Sequence, residues 1–149
     1  METIFTDEKD ERFLKLVEEL DQGYYERIGD DLEKYKEYNE FKNPHFVILL
    51  LDSEKPIACA SYRVCEKDSV EFKRVYVKKD YRKKGIAYDL MKKLEKNVTD
   101  ENFKYSYIVT GKNNYAAINL YKKLNYKQIP KFGQFKDDEA VVCMKKIFR

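Results

Sequence analysis

The chain has no tryptophan, one histidine, three prolines and five glycines among 149 residues, and the scarcity of histidine removes a class of chemistry. His45 stands alone beside Pro44, in what reads as a turn, so neither a histidine-based catalytic triad nor a zinc cluster is expected. Cys59, Cys65 and Cys143 are odd in number, far apart and without the close spacing of metal or redox motifs. They read as small apolar side chains in a reducing compartment, and no metal is expected. The longest unbroken apolar run is FVILLL at residues 46–51, where a membrane span needs about 20 such residues. The start, METIFTDEKDERF, lacks a basic stretch followed by an apolar one. The expectation is therefore a single domain over residues 1–149, cytoplasmic, with no membrane partner.

Charge is present in quantity and unevenly placed. Residues 1–40 carry six basic and fourteen acidic side chains, net −8, while residues 73–85 carry seven basic and one acidic, net +6. A nucleic-acid binder spreads cations over a face, and here they crowd one short segment, so no nucleic acid is expected as partner.

Periodicity gives a coarse outline. Residues 7–20 place Phe13, Leu16, Val17 and Leu20 at helical spacing behind Thr6 as N-cap, and DDLE after Asp30 opens a second helix with Leu32, Tyr35 and Tyr38 on one face. NPH ends that helix, because the residue before a proline is pushed out of helical geometry. FVILLLD, IACASYRVC and VEFKRVYV read as strands, and the short turns SEKP and EKDS make them an antiparallel meander. In the third strand the apolar positions run Val70, Phe72 and then Val75, Val77, a slip of one residue that a β-bulge produces, unless Arg74 merely interrupts one face.

A helix over 86–97 burying Ala87, Leu90, Met91 and Leu94 and a strand over 105–110 then form a parallel crossover. A last helix, NYAAINLYKKL, follows Asn113 as cap and stops at Asn125, and EAVVCMKKIF supplies a final strand or hairpin. The fold class is α/β, a mixed central sheet with flanking helices.

The chemistry concentrates at VYVKKDYRKKGIA. A strand that turns through Gly85 into a helix leaves backbone N–H groups pointing outward, an anion site strengthened by the helix dipole and by the guanidinium of Arg82. Gly85 lets a phosphate approach, and Ala87 is too small to block it. TGKNN at residues 110–114 is no Walker motif, since the upstream glycine and the hydroxyl residue after lysine are missing.

EFKRVYVKKDYRKKGIAYDLMKKLE followed by YIVTGKNNYAAINLYKKLNY resembles the GNAT superfamily of acyl-CoA-dependent N-acetyltransferases. Arg82, Gly85 and Ala87 match its R/Q-x-x-G-x-G/A pyrophosphate motif, and Asn114, Ala117, Leu120 and Tyr121 match its N-x-x-A-x-x-L-Y segment. The resemblance covers residues 46–144. Ala87 stands where glycine is common, Lys83-Lys84 replaces a glycine-containing pair, and Asn125-Tyr126 stands for Gly-Phe.

The resemblance implies acetyl transfer from acetyl-CoA to a primary amine, without a metal. It places the cofactor on Val75, Val77, Arg82, Lys83, Lys84, Gly85, Ile86, Ala87, Asn114 and Tyr121. Tyr121 is the implied proton donor to the departing sulfur, or else part of a packing stripe with Ala117 and Leu124. Glu71 is the implied base, or else an ion-paired strand residue beside Arg63 or Lys73. The amide of Val75, freed by the bulge, polarises the thioester carbonyl. Asn114 lies against the pantetheine arm or caps its helix, and Lys83 and Lys84 meet phosphates or are solvated.

The acidic helices at the start offer Asp21, Glu26, Asp30 or Asp31 to a cationic amine, and Tyr24, Tyr25, Phe132 and Phe135 shape the pocket or the core. The expected acceptor is a small amine, with a protein lysine or N-terminus as the alternative. A non-catalytic acyl-CoA-sensing domain is the rival of another class. The protein is expected as a monomer or homodimer.

Overall fold

The computed structural model describes residues 1–28, 45–66 and 68–148. The first element is one that helical spacing did not announce. Residues Glu2–Asp7 form a strand, β1, paired antiparallel with β2 (His45–Asp52) from Glu2↔Leu51 to Asp7↔Phe46. The helix behind it, α1, runs Glu11–Ile28, later at both ends than the pattern of residues 7–20 suggested. Its cap is Asp10 rather than Thr6: the Asp10 carboxylate accepts from the Arg12 amide at 2.9 Å, and Thr6 donates its hydroxyl to Asp10. The Arg12 side chain, hydrogen-bonded to Asp10, holds that carboxyl well below the ordinary range. A Thr before an acidic turn is a helix-cap signal, yet the Thr6 backbone lies in the β1 ladder opposite Val47. His45 starts β2 opposite Arg63 rather than sitting in a turn. The second helix expected from DDLE, with Leu32, Tyr35, Tyr38, Asp30 and Asp31, lies outside the described residues.

β2, β3 (Lys55–Val64) and β4 (Ser69–Val77) form the antiparallel meander. After β4 come a one-turn 3-10 segment (Lys79–Tyr81), α2 (Ile86–Asp100) and β5 (Tyr105–Gly111), which pairs parallel with β4. α3 (Tyr115–Lys123), β6 (Lys127–Ile129), a 3-10 turn (Gly133–Phe135) and β7 (Val141–Ile147) complete one seven-stranded sheet, ordered β1-β2-β3-β4-β5-β7-β6. Asn114, not Asn113, caps α3, its side-chain oxygen accepting from the Ala117 amide at 3.2 Å. Asn125 takes the left-handed conformation that ends the helix, at φ 72°.

FVILLL is apolar on every residue because β2 is covered on both faces. Val47, Leu49 and Leu51 pack against Phe13, Leu16 and Val17 of α1. Ile48 enters the larger core with Leu90, Met91, Leu94 and Val98 of α2 and with Tyr121 and Leu124. Ala87, expected in the core, is only half-buried at the first turn of α2. No helix among the described residues is long and apolar enough to cross a membrane.

The phase slip in β4 is a bulge. Ser61 pairs with Lys73 but Cys59 pairs with Tyr76, so Arg74 and Val75 together face Ala60, and Arg74 adopts φ 58°. Val70 and Phe72 before the slip and Val75 and Val77 after it therefore share the face toward α2. Side chains of β3 brace the distortion: Ser61 donates its hydroxyl to the Lys73 carbonyl at 2.6 Å, and the Cys59 thiol donates to the Arg74 carbonyl at 3.3 Å. Arg74 turns to the opposite face, where its buried guanidinium meets the Asp21 carboxylate of α1.

Candidate active site

Two features of the sheet make a cleft. The parallel ladder between β4 and β5 covers only Ser69↔Tyr105, Val70↔Ser106 and Glu71↔Tyr107, while β5 stays paired with β7 along its whole length. Beyond Glu71 the bulge bends β4 away, and the two strands part. The opening holds about 600 Å³ between Phe72–Val77 on one side and Ile108–Thr110 on the other. On one face of the sheet it is walled by Arg82, Asn114, Ala117 and Tyr121, and on the other by Glu19, Gln22, Tyr24 and Glu26 of α1. It thus runs through the sheet and is reachable from two sides.

At its mouth the chain turns from β4 into α2. Lys83 and Gly85 both have left-handed backbones, at φ 64° and 78°, which aims successive N–H groups outward. Gly85 occupies the N-cap position of α2 and no side chain caps that end, so the amides of Ile86 and Ala87 remain available to an anion. A Cβ built on Gly85 would meet nothing within 4 Å, leaving open space over those amides. Arg82 ties the turn together, donating from Nε to the Val77 carbonyl at 2.8 Å with its guanidinium 5.5 Å from the Tyr76 ring centre. Lys84 lies over Tyr81, and Tyr81 in turn donates its hydroxyl to Asp52 at 2.7 Å. Open amides, a flanking guanidinium and an adjoining channel suit a pyrophosphate with a long arm, so the residues present fit coenzyme A.

Of the residues read from the sequence, the structure brings Val75, Val77, Arg82, Asn114 and Tyr121 to the cleft wall. Lys83, Lys84, Gly85, Ile86 and Ala87 form the adjoining turn and do not line it. Tyr121 is 7 % exposed, its ring 6.1 Å from that of Tyr126, and its hydroxyl makes no hydrogen bond to another described residue. Burial pushes that phenol well above its ordinary range, with a smaller contribution from Tyr24, so it keeps its proton at every working pH. Asn114 does cap α3, in addition to lining the cleft.

Glu71 is placed differently from an exposed base. It sits one residue below the cleft floor, 2 % exposed, and Arg63 donates to its Oε1 from Nε at 2.9 Å and from the terminal nitrogen at 2.8 Å. Glu71→Gln weakens this half of the pair and leaves the Arg63 charge less compensated, so we expect a loss of about 1–3 kcal/mol in a denaturant melt. An unchanged melt would show that Arg63 finds its counter-charge elsewhere.

Sequence reasoning missed Lys73, Tyr76, Thr110, Glu19 and Gln22 as cleft residues. Lys73 had a signal, since it precedes the phase slip. The others reach the cleft only through the crossover and the position of α1. Asp21 is occupied by Arg74. Phe135 packs in a small cluster with Val141 and Cys143, and Phe132 stands edge-on to Tyr107 at 5.6 Å; neither lines the cleft. Among the described residues no group of three or more His, Cys, Asp or Glu side chains is placed to hold a metal.

A sheet parted beside an uncapped helix N-terminus is the architecture of the acyl-CoA N-acyltransferase class. The chain belongs to the acetyltransferase (GNAT) family, whose model matches residues 11–126. A curated N-alpha-acetyltransferase of Saccharolobus solfataricus is 36 % identical over 72 residues, a stretch spanning 47 % of this chain and 43 % of that protein. Among solved structures, a Klebsiella pneumoniae protein assigned as an acyl-CoA N-acyltransferase superposes with a TM-score of 0.78 at 23 % identity, covering 97 % of each chain. A PaiA N-acetyltransferase of Thermoplasma acidophilum, solved in complex with coenzyme A, gives a TM-score of 0.72 at 14 % identity over 99 % of this chain and 100 % of the other. These structural likenesses concern the fold.

Proposed function

We propose that the protein transfers the acetyl group of acetyl-CoA to a primary amine of a small molecule, directly and within a ternary complex. The observation that carries this reading is the parting of β4 from β5 beside the uncapped end of α2, with Tyr121 on the wall of the opening. The pyrophosphate rests on the amides of Gly85, Ile86 and Ala87, with Arg82 alongside and Lys83 and Lys84 at the rim. The arm passes Val75, Val77 and Asn114, and the thioester carbonyl faces the Val75 amide at the bulge.

The amine nitrogen attacks that carbonyl, the C–S bond breaks, and Tyr121 donates its proton to the departing sulfur. Before the attack Glu71 takes one ammonium proton through an intervening water, since its carboxylate lies below the cleft floor, and the second proton, lost by the nitrogen as the amide forms, returns to Tyr121. Residues 1–149 act as one domain in the cytoplasm, where three cysteines without disulfides are at home.

The test is thiol release from acetyl-CoA across a panel of small amines, amino acids, polyamines and peptides, followed by mass analysis of the acetylated product. Turnover with a small amine is the expected result. A protein that binds acetyl-CoA but releases no thiol with any acceptor is a sensing domain, and the transfer reading falls. The second reading, acetylation of a peptide N-terminus, draws support from the name of the curated relative, and peptide turnover exceeding that of every small amine would establish it.

A further inference from the structure

A buried polar chain stands behind Tyr121, and no step of the transfer uses it. Tyr126 follows the end of α3, is 3 % exposed and does not line the cleft. Its hydroxyl lies 2.5 Å from that of the fully buried Ser106 on β5, a short hydrogen bond between the end of α3 and the strand. The buried Glu95 carboxylate of α2 shares the same phenol. Lys146 of β7 donates from Nζ to both Glu95 oxygens at 3.0 Å, which lets that carboxylate stay charged as an acceptor, and it lies 5.9 Å from the Tyr126 ring centre. Groups from α2, β5 and β7 thus converge on one side chain. Burial pushes the Tyr126 phenol well above its ordinary range, against the Ser106 hydrogen bond, so it remains a hydroxyl.

Tyr126 meets Tyr121 in two ways. Its amide donates to the Tyr121 carbonyl at 2.9 Å, and the two ring centres are 6.1 Å apart with the planes at 59°. Its ring centre is also 6.3 Å from that of Phe72, which lines the cleft from β4. The Tyr121 hydroxyl makes no hydrogen bond to another described residue, so the direction of its ring rests on what packs against it. A phenylalanine at position 126 would fill nearly the same space. What the hydroxyl adds is direction, because a hydrogen bond to fixed groups holds a ring in one place where apolar packing alone leaves it play. The anchor itself is firm: Ser106 pairs with Val70 one rung before the parallel ladder ends at Glu71↔Tyr107.

We infer that Tyr126 is a positioning residue for the transfer: its hydroxyl, held by Ser106 and Glu95, sets the direction of the Tyr121 ring on the cleft wall. The inference rests on the transfer reading for what that direction serves.

Kinetics with the amine that the thiol-release panel selects provide one test. Tyr126→Phe should lower kcat about ten-fold while the KM for acetyl-CoA stays within about two-fold, since misplacing a reacting group costs turnover rather than cofactor binding. In a Tyr121→Phe background the same substitution should change kcat by less than about two-fold, because the group it positions is already gone. Ser106→Ala keeps both rings and deletes the anchor, so it should lower kcat in the same way, and it replaces Tyr126→Phe if that variant does not fold. A second readout does not depend on activity. In protein carrying ring-labelled tyrosine, the Tyr121 resonance, assigned by its loss in Tyr121→Phe, should shift in Ser106→Ala. An unchanged kcat in a folded variant, even one that melts earlier, leaves Tyr126 a packing residue and overturns the inference. An equal fall in both backgrounds or an unmoved Tyr121 resonance overturns it as well. If the native protein turns over no amine, or Tyr121→Phe keeps full turnover, the transfer reading loses its chemistry or its acid, and the Tyr121 resonance alone decides the inference.

Discussion

Gly85→Val is expected to weaken the binding of acetyl-CoA by about a hundred-fold or more while leaving the protein folded. Gly85 holds φ 78°, and a β-branched residue forced there is strained by about 1–2 kcal/mol, a cost that falls on the turn and the first amides of α2. The space a Cβ would enter is open on the protein side, so the new side chain displaces ligand rather than protein. Gly85→Asn separates the two effects, because asparagine tolerates the left-handed region, as Asn125 at φ 72° does in this same chain. If the phosphates approach the backbone here, Gly85→Asn melts close to the native protein and still binds poorly. Calorimetric titration with coenzyme A measures both variants, and unchanged affinity in a folded Gly85→Val protein removes the phosphate assignment.

Tyr121→Phe is the complementary experiment, since it deletes one oxygen and keeps the ring that packs beside Tyr126. Because the hydroxyl bonds to no other described residue, stability should change by no more than about 0.5 kcal/mol. A lost general acid lowers kcat by about 10²–10⁴-fold, whereas coenzyme A affinity should stay within about two-fold. The sign of the phenol's shift adds a constraint. Burial raises it, so the neutral form is the one present below pH 10, and no limb of the pH–rate profile in that range should disappear in the variant. Equal turnover would leave Tyr121 as a packing residue, the role its burial already gives it.

Much of this site was legible because it is written locally. The turn at Gly85 needs only a strand, a residue free to take positive φ and a helix start, all contiguous in VYVKKDYRKKGIA. The bulge was legible from the slip between Phe72 and Val75, since side-chain alternation has a fixed period that one extra residue must break. The strand Glu2–Asp7 was not legible. Four of its six residues are polar and none is fully buried, and they are held as an edge by pairing with β2 some forty residues away. The cap of α1 was misplaced for a related reason: Thr6 and Asp10 both suit a cap, and only the ladder that claims Thr6 decides between them.

The sequence by itself determined the order of the later elements, the anion-binding turn and the tyrosine on the last helix, because each depends on spacing within a dozen residues. The tertiary structure decided what the cleft contains. Lys73 and Glu71 are neighbours on one strand with the same side-chain direction, yet one lines the opening and the other is fixed beneath it by Arg63. That difference comes from where the parallel ladder with β5 stops, which the bulge in β4 favours but which exists only because the α2 crossover brings β5 alongside β4.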